Sequence, residues 1–159
     1  MNQTTQYAAV LSALFFFVQT AGADEEADQI TGIWATAKAE AHVEVSKNEK
    51  GYYGTIIWLN EPFFPEDDEE GMAGQAKVDR ENPDPDLRMR PIIGTEIMSG
   101  FQYVGGNLWR DGTIYDPNNG KTYKCKIWLT DKGTLKVRGY IGVSLFGRTE
   151  VWTPVIHKR

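Results

Sequence analysis

The residues best suited to chemistry cluster between positions 79 and 90. Asp79, Asn82, Asp84 and Asp86 put four oxygen-bearing side chains in one short stretch, and Arg88 and Arg90 follow. Oxygens at that spacing raise the question of calcium. A calcium loop converges six or more oxygens and often turns on a glycine. Pro83 and Pro85 hold this stretch extended instead, so no metal site is expected. Arg88 and Arg90 could grip an anion through paired N–H groups, or pair with the carboxylates beside them.

Other candidates are weaker. Asp116 precedes Pro117-Asn118-Asn119-Gly120, and that spacing explains it as the cap of a tight turn. Cys125 shares a strand face with Tyr123 and Ile127, where a free thiol behaves as a small hydrophobe. His42 and His157 are far apart, and neither is a good base for a nucleophile. Gly139 to Gly147 lacks the Gly-Lys-Ser/Thr pattern of a phosphate loop. The acidic residues that could do acid–base work cluster in a solvated loop. No catalytic residue and no cofactor is expected.

The elements that must position these groups are strands. Apolar residues 8–18 are too few to span a bilayer, and Ala21-Gly22-Ala23 offers a small-x-small cleavage site. Residues 1–23 therefore predict a secretory signal peptide and 24–159 a single domain. The expected location is exported, periplasmic or secreted. One cysteine allows no internal disulfide, so stability must come from packing. A net charge of −5 argues against nucleic acid and against an anionic membrane surface.

Strands are predicted over 30–38, 42–46 and 52–59, the last apolar on both faces. Such a strand must be covered outside as well, by another element or a partner. Residues 60–90 break the rhythm with four prolines and the acidic run 66–70, a long excursion of the kind that is usually functional or mobile. Trp109 to Tyr123 reads as strand, four-residue turn and strand. Alternation resumes through 135–141, and a last strand covers 148–155. The pattern predicts an all-β antiparallel sandwich or barrel of roughly eight strands.

Gly32-Ile33-Trp34 resembles the G-x-W opening of lipocalins. D-x-x-N-P-D at 79–84, L-R-x-R-P at 87–91 and W-x-x-G-x-I-Y-D-P-x-N-G-K-T-Y near 109–123 extend the likeness. R-G-Y-I-G at 138–142 and G-R-T at 147–149 complete it. Together they resemble an exported bacterial family, domain-of-unknown-function family 2147, over essentially the whole mature chain. The resemblance implies a lipocalin-like, calycin barrel. It also implies that Trp34 packs across the closed end under a basic residue of the last strand, for which Arg148 is the candidate.

A small barrel fills its interior with side chains or holds one ligand. The aromatic residues Tyr53, Phe101, Tyr103, Trp109, Tyr115, Tyr123 and Tyr140 are the candidate ligand contacts. Arg88, Arg90 or Arg138 would orient an acidic headgroup. The expected ligand is a small apolar or amphipathic molecule, such as a fatty acid or lipid. The alternative is a cell-envelope interaction module without a small ligand, acting on an envelope protein or as a homodimer. Its support is the two-sided strand 52–59 and the exposed-face Trp128.

Overall fold

A computed structural model describes residues 21–156. The expected signal segment up to residue 20, and His157, lie outside the described residues.

Eight antiparallel strands close into a barrel in sequence order. They are β1 (Gly32–Ala35), β2 (Ala41–Asn48), β3 (Gly51–Leu59), β4 (Glu96–Tyr103), β5 (Leu108–Asp116), β6 (Lys121–Leu129), β7 (Leu135–Tyr140) and β8 (Gly147–Pro154). Closure is made where Trp34 and Ala35 pair with Pro154 and Thr153, so no edge strand is left open. The first strand is shorter than predicted. Lys38 and Ala39 adopt φ of 59° and 53°, which turns the chain before it can extend.

One half of the interior is filled. Val43, Val45, Met98, Phe101, Trp109, Cys125, Ile127 and Leu135 point inward and are buried, with a register shift between Met98 and Phe101 that keeps both on the inner face. Phe101 lies against Gly112, where any Cβ would clash with its ring. Burial pushes the Cys125 thiol up to about 12, in keeping with an inert, apolar-lined sulfur.

The stretch 24–29, which reads as a polar lead-in, is the plug of this end. Helix α1 (Ala21–Ala27) and the 3-10 turn Asp28–Ile30 cross it, with Ile30 fully buried. Trp109 Nε1 donates to the Ala27 carbonyl at 3.1 Å, and Trp34 Nε1 to the Ile30 carbonyl at 2.8 Å. Asp28 accepts from the Tyr52 hydroxyl at 2.5 Å and from Lys47 Nζ at 2.9 Å. Those two donors hold its carboxyl below the usual range.

Trp34 is thus buried at the closed end, but Arg148 does not cover it. β8 runs antiparallel to β1, and its last residue meets Trp34. Arg148 lies six positions earlier, about 20 Å away at strand rise. It sits at the other end, 81% exposed, and pairs with Glu150 at 3.2 Å. Backbone carbonyls of the plug take the place expected for a basic residue.

A bulge between His42 and Val43 shifts the register against β3. Tyr52, Gly54 and Ile56 face inward, and beyond the bulge Ile57 and Trp58 are exposed. Trp58 rests on the His42 ring at 4.3 Å. The second apolar face of this strand is therefore not covered by another element among the described residues.

Candidate functional site

The other half of the barrel is open. A cavity of about 1110 Å³ enters it between residues 36–40, the 60–95 excursion, the β5–β6 turn and residues 141–146. Its floor is apolar: Ile56, Ile97, Ile114, Val137 and Trp152. Ile56, Ile114, Val137 and Trp152 are inward positions of β3, β5, β7 and β8 on the mouth side of the packed half, and Ile97 joins them at the register shift of β4 against β3. Aliphatic side chains there leave room that Phe101 and Trp109 occupy lower down. The rim is charged, with Glu61, Lys77, Arg80, Glu81, Arg148 and Glu150 among its residues.

The excursion is held over this mouth by the motif that first suggested chemistry. Asp79 is fully buried. One of its oxygens accepts from Arg90 Nε and Nη2 at 3.0 and 2.7 Å and from Asn82 Nδ2 at 2.7 Å. The other accepts from the Tyr115 hydroxyl at 2.6 Å. Asn82 Oδ1 accepts from the Asp84 amide, and Asp84 from the Asp86 amide. Arg88 Nε donates to the Asn82 carbonyl at 2.8 Å. These groups spend their polar atoms on one another, as a buried charge requires. Burial, reinforced by the Asp79 carboxylate, pushes the Tyr115 hydroxyl up to about 12. The excursion also leans on the hairpin turn. Gly120, at φ 67°, has no room for a Cβ because the Glu81 carbonyl oxygen fills that space.

A second clamp holds the acidic run. Asp68 accepts from Arg80 Nη1 at 2.7 Å and from the Met72 amide at 3.0 Å, and both donors keep its carboxyl below the usual range. Arg80 in turn lies 4.5 Å from the Phe64 ring centroid.

Of the ten residues expected to touch a ligand, three line the cavity: Tyr115, Tyr123 and Tyr140. Phe101 and Trp109 fill the packed half, and Tyr103 stacks on Trp109 at the plugged end with its hydroxyl on Glu26. Tyr53 lies on the outer face, opposite Ser46, because Tyr52 and Gly54 point in. Arg88 and Arg90 are committed within the excursion. Arg138 is on the outer face of β7, where it binds the Ser144 and Leu145 carbonyls and the Thr149 hydroxyl. The cations at the mouth are Lys77, Arg80 and Arg148, of which Lys77 pairs with Glu61, Arg80 with Asp68 and Arg148 with Glu150. Sequence reading favoured rings and missed the aliphatic floor. The missed signal was the alternation that puts Ile114 and Val137 inward near the mouth-side ends of their strands; Ile97 carries no such signal, because it enters at a register shift.

A closed eight-stranded barrel plugged at one end and open at the other is a lipocalin-like fold, the architecture of ligand-binding barrels. The chain belongs to the bacterial family DUF2147, described as "Uncharacterized protein conserved in bacteria", which matches residues 32–154. Among solved structures it is similar to protein HP1028 from Helicobacter pylori, reported to belong to the lipocalin family. The two share 25% identity with a TM-score of 0.65, over 79% of this chain and 82% of that one. No curated protein matches it.

Proposed function

We propose that this protein is an exported, non-catalytic binding protein for a small apolar or amphipathic molecule, of the size of a fatty acid or lipid tail. The observation that carries the reading is the open half-barrel: about 1110 Å³ with a floor of four aliphatic side chains and Trp152. Ligand sites of this kind are concave and mostly apolar, with a few polar groups that fix orientation. The apolar part of the ligand lies over Ile56, Ile97, Ile114 and Val137. Its polar end meets the rim, where the cations within reach of an acidic headgroup are Lys77, Arg80 and Arg148 rather than Arg88, Arg90 or Arg138.

Native mass spectrometry of protein purified without detergent tests this. The expected spectrum carries a bound species of lipid-like mass that is lost from a cavity-filling Val137→Trp variant of unchanged fold. A ligand-free spectrum, with no adduct on adding fatty acids or lysolipids, contradicts it.

A further inference from the structure

The charge of this chain is segregated. Between Pro117 and Thr149 one acidic residue, Asp131, stands against seven Lys and Arg, in a chain of net charge −5. The acidic excursion leaves β3 and returns to β4, which lie across the barrel from β7 and β8 in the strand order. The outer face of β6 and β7 presents Lys124, Lys126, Lys136 and Arg138 around Trp128, because Cys125, Ile127, Leu135 and Val137 take the inward positions. Lys126 Nζ lies 4.8 Å from the Trp128 ring centroid. Arg138 and Lys126 meet carbonyls and hydroxyls of residues 144, 145 and 149. Those partners are uncharged, so these contacts bring no carboxylate against the cations.

The same contacts pin the backbone of residues 141–146 and leave its side chains outside. Val143 and Leu145 are 61% and 78% exposed, and Ile141 and Phe146 fall between them. Ile141 and Phe146 also form part of the cavity rim. Four large apolar residues at one loop tip, beside a face of uncompensated cations, form one continuous surface ending at the mouth.

We propose that this surface docks on an anionic lipid membrane, with Val143, Leu145 and Phe146 entering the headgroup boundary and the β6–β7 cations against lipid phosphates. Peripheral binding of this type combines buried apolar area with attraction to anionic lipid. An acidic soluble polymer would engage the cations and leave the aliphatic tip in water. A neutral apolar partner would leave the cations without counter-charges. A surface with negative charge outside and hydrocarbon beneath answers both at once. The net charge argues otherwise as a sum, but membrane attraction decays within a Debye length of about 8–10 Å, so the facing charges decide. Docking does not require an occupied cavity and stands apart from the ligand proposal.

Vesicle flotation of the full chain tests it, comparing phosphatidylcholine–phosphatidylglycerol vesicles with phosphatidylcholine alone. Residues 1–20 are common to all variants, so differences between variants report the β6–β7 face and the loop tip. Binding to the anionic vesicles should exceed that to neutral ones and fall as salt rises. Lys124→Glu with Lys136→Glu should weaken it ~tenfold or more, and Val143→Ser with Leu145→Ser should weaken it at unchanged melting temperature. Equal binding to both vesicle types, or indifference to either pair of substitutions, would overturn the proposal. Binding to soluble polyglutamate but not to anionic vesicles would also overturn it and assign the face to an acidic polymer.

Discussion

Arg90 donates two N–H groups to one oxygen of Asp79, at 3.0 and 2.7 Å, while the Tyr115 hydroxyl takes the other at 2.6 Å. This pair ties the excursion to the end of β5, so the D-x-x-N-P-D and L-R-x-R-P motifs build the wall of the mouth.

Arg90→Ala leaves a fully buried carboxylate with only neutral donors. Losing charged hydrogen bonds and one partner of a buried pair should cost about 2–4 kcal/mol. Tyr115→Phe should cost about 1–2 kcal/mol. The two losses should couple in a double-mutant cycle, since both residues serve Asp79. Denaturant unfolding of the four proteins checks this, and strictly additive losses would contradict it.

Gly120→Val should destabilise by about 1–3 kcal/mol, from a β-branched residue at positive φ and from the Glu81 carbonyl that a side chain must displace. Because that contact holds the excursion, the variant should also expose the 60–90 backbone to limited proteolysis. Unchanged stability with an unchanged digestion pattern would show that the excursion does not rest on this turn.

Trp34 and Arg148 lie at opposite ends of the barrel and should behave independently. Trp34→Ala should cost about 3–5 kcal/mol, the range for emptying a buried aromatic site. Arg148→Ala, at an exposed position, should fall within about 0.5 kcal/mol of wild type. The double mutant should equal their sum, as expected for residues separated by more than about 10 Å. A coupling energy above that would place the two side chains in contact.

The fold was legible because strands announce themselves locally. Alternation in 121–129 and 135–140 and the Asp116–Gly120 turn each follow from a few neighbouring residues. The turn forms as the spacing predicts, with the Gly120 amide on the Asp116 carbonyl at 2.9 Å. What was not legible depended on register around the ring. Whether Tyr53 or Tyr52 faces inward is set by pairing with β2, and the bulge beside Val43 has no sequence signature. Arg148 and Trp34 are both strand residues near a chain end, and only the offset of β8 against β1 separates them. The plug was hidden for another reason: 24–29 is polar because only Ala27 and Ile30 face the core.

Alkaline pH should unfold the barrel through its buried neutral acids. Cys125 is raised from 9.0, and Tyr52 and Tyr115 from 10.0, each to about 12. The unfolded chain therefore releases these protons first. Their contribution is complete below about pH 9 and is lost as pH rises from 9 to 12. Cys125→Ala should flatten the first part of that decline, seen in melting temperature against pH. The native thiol should also resist bulky maleimides at neutral pH. An identical alkaline slope in the variant would contradict the assignment.

The open half-barrel as a ligand site is tested most directly by methyl NMR of the isoleucines during titration with a long-chain fatty acid or lysolipid. Saturable shifts should appear at Ile56, Ile97 and Ile114, which line the cavity floor, with Ile30 and Ile127 in the packed half nearly still. Shifts confined to exposed Ile57 and Ile156, which lie outside the cavity, or no saturable shift with any such molecule, would contradict the account.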